Sequence, residues 1–151
     1  MLVQGPTMIF RHVDGVWVGV HTAEPPTVDE WTALCGEVAH LRRETRGVII
    51  YTEGGGPDSK QRELLRAALQ NTPQHVAVLT HSSVVRLIST TLNWLFGRQT
   101  ICAFAPSDLD GALAFLAQHD GALPRATVVE VMGDSTLQLG LKPPPWFTSA
   151  A

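Results

Sequence analysis

Apolar residues at alternate positions mark the start of the chain. Residues 8–13 and 16–21 are two strand-like runs separated by Asp14-Gly15, a dipeptide suited to a two-residue turn. In the second run, valines occupy every second position, with Trp17, Gly19 and His21 between them. This period of two is typical of a pleated strand with one face in the core. The pattern therefore predicts an N-terminal β-hairpin.

Helical and strand-like periods alternate through the next hundred residues. Apolar residues recur at helical spacing after a capping box at Thr27 and Glu30, which predicts a first helix as far as about Thr45. Further strands are expected at residues 47–52, 75–80 and 100–104, and further helices at 59–70, 83–96 and 107–118. Strands alternating with helices of this length imply parallel pairing with crossover connections. We therefore expect a single α/β domain with a mostly parallel central sheet flanked by about four helices.

The end of the chain is less regular in its pattern. Residues 127–132 and 136–141, separated by Gly133-Asp134-Ser135, predict a second hairpin. Three prolines at 143–145 then end regular structure before Trp146. Two interpretations of this tail are possible, an extended docking peptide and a tail that packs its Trp against the domain, and the second is favoured. We therefore assign residues 1–142 to one domain and residues 143–151 to a Pro-rich tail.

Composition narrows the classes of partner. The 151 residues carry 11 Lys plus Arg against 14 Asp plus Glu, and no basic run is interleaved with aromatics, so we expect no nucleic acid. No apolar span reaches about 18 residues and no signal-peptide pattern begins the chain, so we expect no membrane insertion. Cys35 and Cys102 lie in apolar patterns without a CxxC pair, which favours free thiols and a cytoplasmic location.

A glycine loop at the end of the predicted strand 47–52 is the most informative local feature. Gly54-Gly55-Gly56-Pro57 leads into Asp58-Ser59 at the start of the next helix. Backbone N–H groups without helical partners gather at such junctions, beside the positive end of the helix dipole, and ligands or switches are common there. The spacing matches neither a dinucleotide fingerprint nor a P-loop, so a turn that requires glycine is favoured over a phosphate cradle.

Two roles are open for the residues at this helix start. The Asp58 carboxylate or the Ser59 hydroxyl is expected to cap the helix by accepting from backbone N–H groups. Phosphorylation of Ser59 would add about two negative charges there and alter the surface that a partner contacts. Because a capping hydroxyl at a helix start is exposed, the two roles can coexist.

The order of these elements resembles that of the small STAS domains (sulfate transporter and anti-sigma-factor antagonist), especially the SpoIIAA-like or STAS/SEC14-like branch. The resemblance covers about residues 8–117. It is carried by His75-Val76-Ala77-Val78-Leu79-Thr80, by the following helix with Arg86, and by Ile101-Cys102-Ala103-Phe104 leading into Leu113-Ala114-Phe115-Leu116.

The resemblance implies a regulatory role. Bacterial regulators of this family carry an Asp-Ser pair at the start of the helix after the third strand, where a kinase phosphorylates the Ser, and Asp58-Ser59 falls at a similar place. The kinship of this branch to lipid-carrying domains implies an apolar pocket in some members. A protein partner is therefore one expectation, and a lipid or small apolar molecule is the other.

The predicted helix 83–96 is apolar over more than one stripe, which is more than one sheet face covers. An interface, including a homodimer, is one explanation; burial by the C-terminal tail and a wall of an apolar pocket are the alternatives. The residues concerned are Val84, Leu87, Ile88, Thr91, Trp94 and Leu95.

Evidence for catalysis is weak in this sequence. Ser59, Ser82 and Ser83 lie in no GxSxG elbow, and Glu37 with His40 forms one Glu-x-x-His pair where a di-metal carboxylate site needs two. The six histidines are interpreted as surface or hydrogen-bonded residues: His12, His21, His40, His75, His81 and His119. We therefore expect no catalytic residue, metal or cofactor. The sequence predicts a non-catalytic cytoplasmic regulatory or protein-interaction module, with lipid or apolar-ligand binding as the alternative and a hydrolase as the least favoured reading.

Overall fold

The computed structural model describes residues 2–70, 72–83 and 100–147 of the 151-residue chain. The predicted helix 83–96 therefore lies outside the described residues from position 84 onward. The same holds for the proposed interface or pocket residues of that helix: Val84, Leu87, Ile88, Thr91, Trp94 and Leu95.

In the described residues, six strands form one sheet in which each strand pairs with the next of the six. They are β1 (Leu2–Gln4), β2 (Met8–Val13), β3 (Val16–His21), β4 (Gly47–Thr52), β5 (Val76–Thr80) and β6 (Ile101–Phe104). The first three strands pair antiparallel, and β3 to β6 pair parallel. The predicted hairpin and the mostly parallel sheet are confirmed, and β1 adds an edge strand that the sequence analysis did not predict.

Four α-helices lie within the described ranges: α1 (Val28–His40), α2 (Ser59–Leu69), α3 (Leu109–Ala117) and α4 (Arg125–Gln138). The predicted capping box begins α1, since the Thr27 hydroxyl accepts from Glu30 N and the Glu30 carboxylate accepts from Thr27 N. A short 3-10 helix, Arg42–Glu44, continues α1 to the predicted end of the first helix. The α/β class is thus confirmed.

The predicted C-terminal hairpin is wrong, because residues 127–138 belong to α4. Val128, Met132, Ser135 and Thr136 are buried at helical spacing, which places one face of the segment against the core. The β-branched residues around Val128 favour strands by propensity, but tertiary packing of a helical face outweighs propensity differences of this size. Gly133 is no turn residue here; the ring of Phe147 packs where its Cβ would be.

The sheet separates two apolar cores. Helices α3 and α4 pack on one face, against a cluster that includes Val16, Val18 and Val20 of β3. Helices α1 and α2 pack on the other, where Trp17 of β3 belongs to the second cluster. Both sides of β3 are therefore covered, and all six of its residues are buried.

The Pro-rich tail lies against the domain as far as residue 147. The Trp146 indole N–H donates to the Pro106 carbonyl at 2.7 Å, and Phe147 contacts Gly133. Within the described residues, no helix combines the length and apolarity needed to span a bilayer.

Candidate functional site

A cavity of about 270 Å³ lies between the sheet and helices α1 and α2. Aliphatic and aromatic side chains from both layers make up most of its described lining, among them Trp31, Leu34, Ile50, Leu65 and Val78. Ile50 is only half-buried although β4 is an inner strand, because it lies along this cavity. The α1–α2 core is therefore less closely packed than the core on the other face.

The register of the parallel strands brings three polar side chains together at their carboxyl ends. His21 pairs with Thr52, and Thr52 pairs with Thr80. All three residues are buried. The Thr52 hydroxyl donates to Gly55 O at 2.7 Å and accepts from Gly54 N at 3.1 Å, while the Thr80 hydroxyl accepts from Ser82 N at 2.9 Å. The hydroxyls of the two threonines thus stabilise the loops that follow their strands through hydrogen bonds to backbone atoms.

The glycine loop reaches the cavity at this same end. Gly55 N donates to Thr22 O at 3.0 Å, and Gly55, Gly56 and Pro57 line the cavity. A Cβ on Gly55 would overlap the carbonyl oxygens of Thr22 and Glu24, whereas one on Gly56 would meet no atom within 4 Å. Gly54 has a φ of 123°, which side-chain-bearing residues rarely adopt. The loop therefore requires glycine at 54 and 55 for different reasons.

Asp58 caps the following helix. Its carboxylate accepts from Gln61 N at 2.8 Å, and the Gln61 side chain accepts from Asp58 N at 3.0 Å. Ser59 is the first residue of α2 and is exposed. Of the two capping groups that the sequence left open, the structure uses the Asp58 carboxylate, so the Ser59 hydroxyl has no part in the cap.

His21 is the polar residue whose environment differs most from expectation. Its side chain is 4% exposed, and Nδ1 has no hydrogen-bond partner within the described part of the chain. The Phe10 ring contacts the imidazole edge to face, with centroids 5.3 Å apart. Burial lowers the pKa of His21 to about 4, although the Glu30 charge opposes this shift. His21 is therefore a buried neutral imidazole and not the surface or hydrogen-bonded residue that the sequence suggested.

Glu30 is the carboxylate whose charge acts on the pKa of His21. It accepts from Thr7 N at 3.0 Å, Thr7 Oγ1 at 2.7 Å, Met8 N at 3.1 Å and Thr27 N at 3.1 Å. Burial by itself raises the pKa of Glu30, but the hydrogen bonds from Thr7 and Thr27 outweigh it and hold the pKa below its usual value. Glu30 therefore stays ionised and ties the β1–β2 turn to α1.

Arg62 brings a positive charge to the cavity wall. It is the one ionised side chain in the described lining, which contains no Asp or Glu. Its Nη1 donates to Pro57 O at 3.0 Å, so the guanidinium lies beside the glycine loop. The two ion pairs found in the described ranges join other residues, Glu63 with Arg66 and Asp110 with Arg125.

The other chemically versatile residues do not converge on this site. The His75 and His119 rings stack at 3.8 Å beside Phe115, and His12 lies 3.1 Å from the Thr45 hydroxyl. Across the ranges that the structure describes, no three His, Cys, Asp or Glu residues are grouped closely enough to hold a metal ion.

The sequence indicated the glycine loop as a functional location, but it did not single out His21 or Arg62 as residues of the site. The loop was visible because three glycines follow an apolar strand. His21 could have been found from its position on the same strand face as Trp17, since a polar residue at the end of an apolar face is worth examining. Arg62 carries no such signal, because a helix position alone does not show which arginine faces a cavity.

Comparison of the chain with protein-family models, with curated proteins and with solved structures finds no match in any of the three. The similarity to STAS domains therefore rests on the order of the elements and on the sequence segments quoted above.

We expect Gly55→Ala to lower the free energy of unfolding by about 2 kcal/mol or more, because the new methyl group displaces the backbone at Thr22 and Glu24. Gly56→Ala is the matched control, and its effect should stay within about 1 kcal/mol. Urea denaturation of the two variants measures both values. Equal losses in the two variants would show that the close approach at Gly55 does not constrain the loop.

Acidification should destabilise the protein through His21. Because the folded pKa is about 4 and the ordinary value is 6.5, only the unfolded chain binds this proton between those pH values. The free energy of unfolding therefore falls as the pH decreases from 6.5 to 4, by about 3 kcal/mol in total. Urea unfolding across this range should show a shallower pH dependence for His21→Leu and the wild-type dependence for a variant of the exposed His40, His40→Asn. The same slope in all three proteins would contradict the assignment.

Proposed function

We propose that this protein is a non-catalytic binding module that takes up a small, mostly apolar molecule between its sheet and helices α1 and α2. The observation that supports the proposal is the cavity of about 270 Å³ with a mainly aliphatic and aromatic described lining. Ligand sites in proteins are usually apolar cavities with a few polar groups that orient the ligand. Such a site matches the second function that the sequence suggested.

The size of the cavity limits the ligand. An engineered cavity of about 150 Å³ takes up benzene, so 270 Å³ suits a molecule of roughly two rings or a short chain. Protein interiors are otherwise packed with few voids larger than a water molecule. A bound apolar molecule would supply the van der Waals contacts that the cavity walls lack.

We also propose that the domain belongs to the STAS superfamily, in its SpoIIAA-like branch, and works in the cytoplasm. Support comes from an antiparallel start followed by parallel strands in chain order, with α1 and α2 on one face of the sheet. In this assignment the glycine loop takes the place of the loop that precedes the phosphorylated serine of the bacterial regulators. Ligand binding and regulation of a partner protein are compatible in one such domain.

A phosphorylation switch at Ser59 is the second candidate function. Ser59 is exposed, and Asp58 already caps α2, so modification of the hydroxyl leaves the cap intact. Pro57, two residues earlier, lines the cavity. A phosphate on Ser59 would therefore place about two negative charges close to the mouth of the proposed site and change what a partner contacts.

Filling the cavity should abolish uptake of a neutral apolar probe. We expect 1-aminonaphthalene, a two-ring probe, to bind the wild-type protein one to one with a blue shift of its fluorescence. In Ile50→Trp the indole occupies the cavity, so the affinity should fall about ten-fold or more while thermal unfolding stays cooperative. The control is Leu137→Trp, at a position 56% exposed on α4 and away from the cavity. No probe binding to the wild type, or equal binding to both variants, would refute the proposed site.

The switch is tested on protein purified from its own cells. Intact mass spectrometry should find an added phosphoryl group that is lost in Ser59→Ala and kept in Ser107→Ala, since Ser107 is also an exposed serine next to a capping aspartate. A phosphoryl group that persists in Ser59→Ala, or none in the wild type, would count against the switch.

A further inference from the structure

The two ends of the cavity differ in charge, since the one ionised side chain of the described lining, Arg62, lies beside the carboxyl ends of the strands. Two uncharged polar residues, Thr45 and Gln74, line the opposite end, before β4 and β5. The Gly55 N–H donates a hydrogen bond to the carbonyl of Thr22, the residue after His21. The Arg62 guanidinium donates to the Pro57 carbonyl of the same loop. His21 and Arg62 thus lie at one end of a cavity that is otherwise mainly apolar. A ligand that fits only by apolar contact leaves both groups unused.

His21 lines this end of the cavity and carries a buried ring nitrogen without a hydrogen-bond partner. Its imidazole is 4% exposed, and Nδ1 lacks a partner in the ranges described. A buried polar atom without a partner costs about 1–3 kcal/mol, so such atoms are few in folded proteins and are often explained by a ligand or a water molecule. The neighbouring Thr52 hydroxyl, in contrast, makes both of its hydrogen bonds to the glycine loop.

Arg62 supplies a charge that the cavity does not neutralise. No carboxylate is present in the described lining, and the nearby acidic groups have other partners. The Asp58 carboxylate accepts a hydrogen bond from Gln61 N in the α2 cap, and the Glu53 carboxylate accepts one from the Tyr51 hydroxyl at 2.9 Å. Both acidic residues are exposed, and neither is among the described lining residues. A guanidinium is favoured by a carboxylate placed in its plane, which accepts two of its N–H groups.

The apolar part of the cavity extends along β3 from this end. Trp17 lies four residues before His21 on the same strand face and also lines the cavity. At about 3.3 Å per residue, the two positions are about 13 Å apart. The cavity thus has the length of an elongated small molecule and one charged end.

We propose that the ligand is an amphipathic monocarboxylate whose carboxylate is bound between Arg62 and His21 and whose apolar body extends along β3 toward Trp17. The inference rests on the proposed function and specifies the chemical class of its ligand. The Arg62 guanidinium donates to the carboxylate, and an N–H on Nδ1 of the neutral His21 donates to the same group. No covalent step is involved.

Three probes that share one apolar body test the proposal: 4-phenylbutanoate, 4-phenylbutan-1-ol and butylbenzene, each titrated by displacement of 1-aminonaphthalene. We expect the carboxylate to bind about ten-fold or more tightly than the alcohol, because charge-assisted hydrogen bonds are about twice as strong as neutral ones. Arg62→Gln should bring the two affinities within about three-fold of each other, and Arg62→Lys should restore part of the preference.

Arg66→Gln is the matched control, since Arg66 lies one turn later on α2, pairs with Glu63 and is not among the described lining residues. The Arg66→Gln variant should keep the wild-type preference for the carboxylate over the alcohol. Equal affinity of the wild-type protein for the carboxylate and the alcohol, or an unchanged preference in Arg62→Gln, would overturn the inference and leave the proposed apolar site standing. Failure of all three probes and of 1-aminonaphthalene to bind would overturn the site as well.

Discussion

Strand β3 has to be buried on both faces, and the rest of the domain is arranged around this requirement. Its three valines belong to the core under α3 and α4, while Trp17 and His21 face α1 and α2. On the second face Gly19 has no side chain, and the Phe10 ring covers it from the neighbouring strand. The valine face packs closely, whereas the mixed face combines an aromatic residue, a glycine and a histidine and leaves a cavity. The candidate site therefore originates in the alternation of a single strand.

Most of the fold could be predicted because its signals are local. The Asp14-Gly15 turn, the Thr27 capping box and the apolar run of β4 each determine structure within a few residues. The prediction from local signals failed at α4. Its β-branched residues favour a strand locally, and only contact with distant residues, such as Phe147 on Gly133, makes the helix the better solution. The other segment that the sequence analysis missed is β1, whose three residues are too few to show a period of two.

The sequence predicted where the candidate site lies but not which side chains form it. Three glycines after a buried strand predicted a functional location at the end of β4, and two of them line the cavity. The chemistry depends on side chains from β3 and α2 that are 41 positions apart at His21 and Arg62, and no spacing rule connects them. Burial also changes the histidine in a way that composition does not show, because its pKa falls to about 4 only inside the folded domain.

The order of the strands has a consequence for how the protein is made. Since each of the six described strands pairs with the one before it, the sheet can grow one strand at a time as the polypeptide leaves the ribosome. The cavity face can begin to form once β4 and α2 have been synthesised, whereas the opposite core must wait for α3 and α4. The hydrogen bond from the Trp146 indole to Pro106 can form only after α4 has been synthesised. The valine face of β3 therefore stays exposed on a nascent chain longer than the face that carries the cavity.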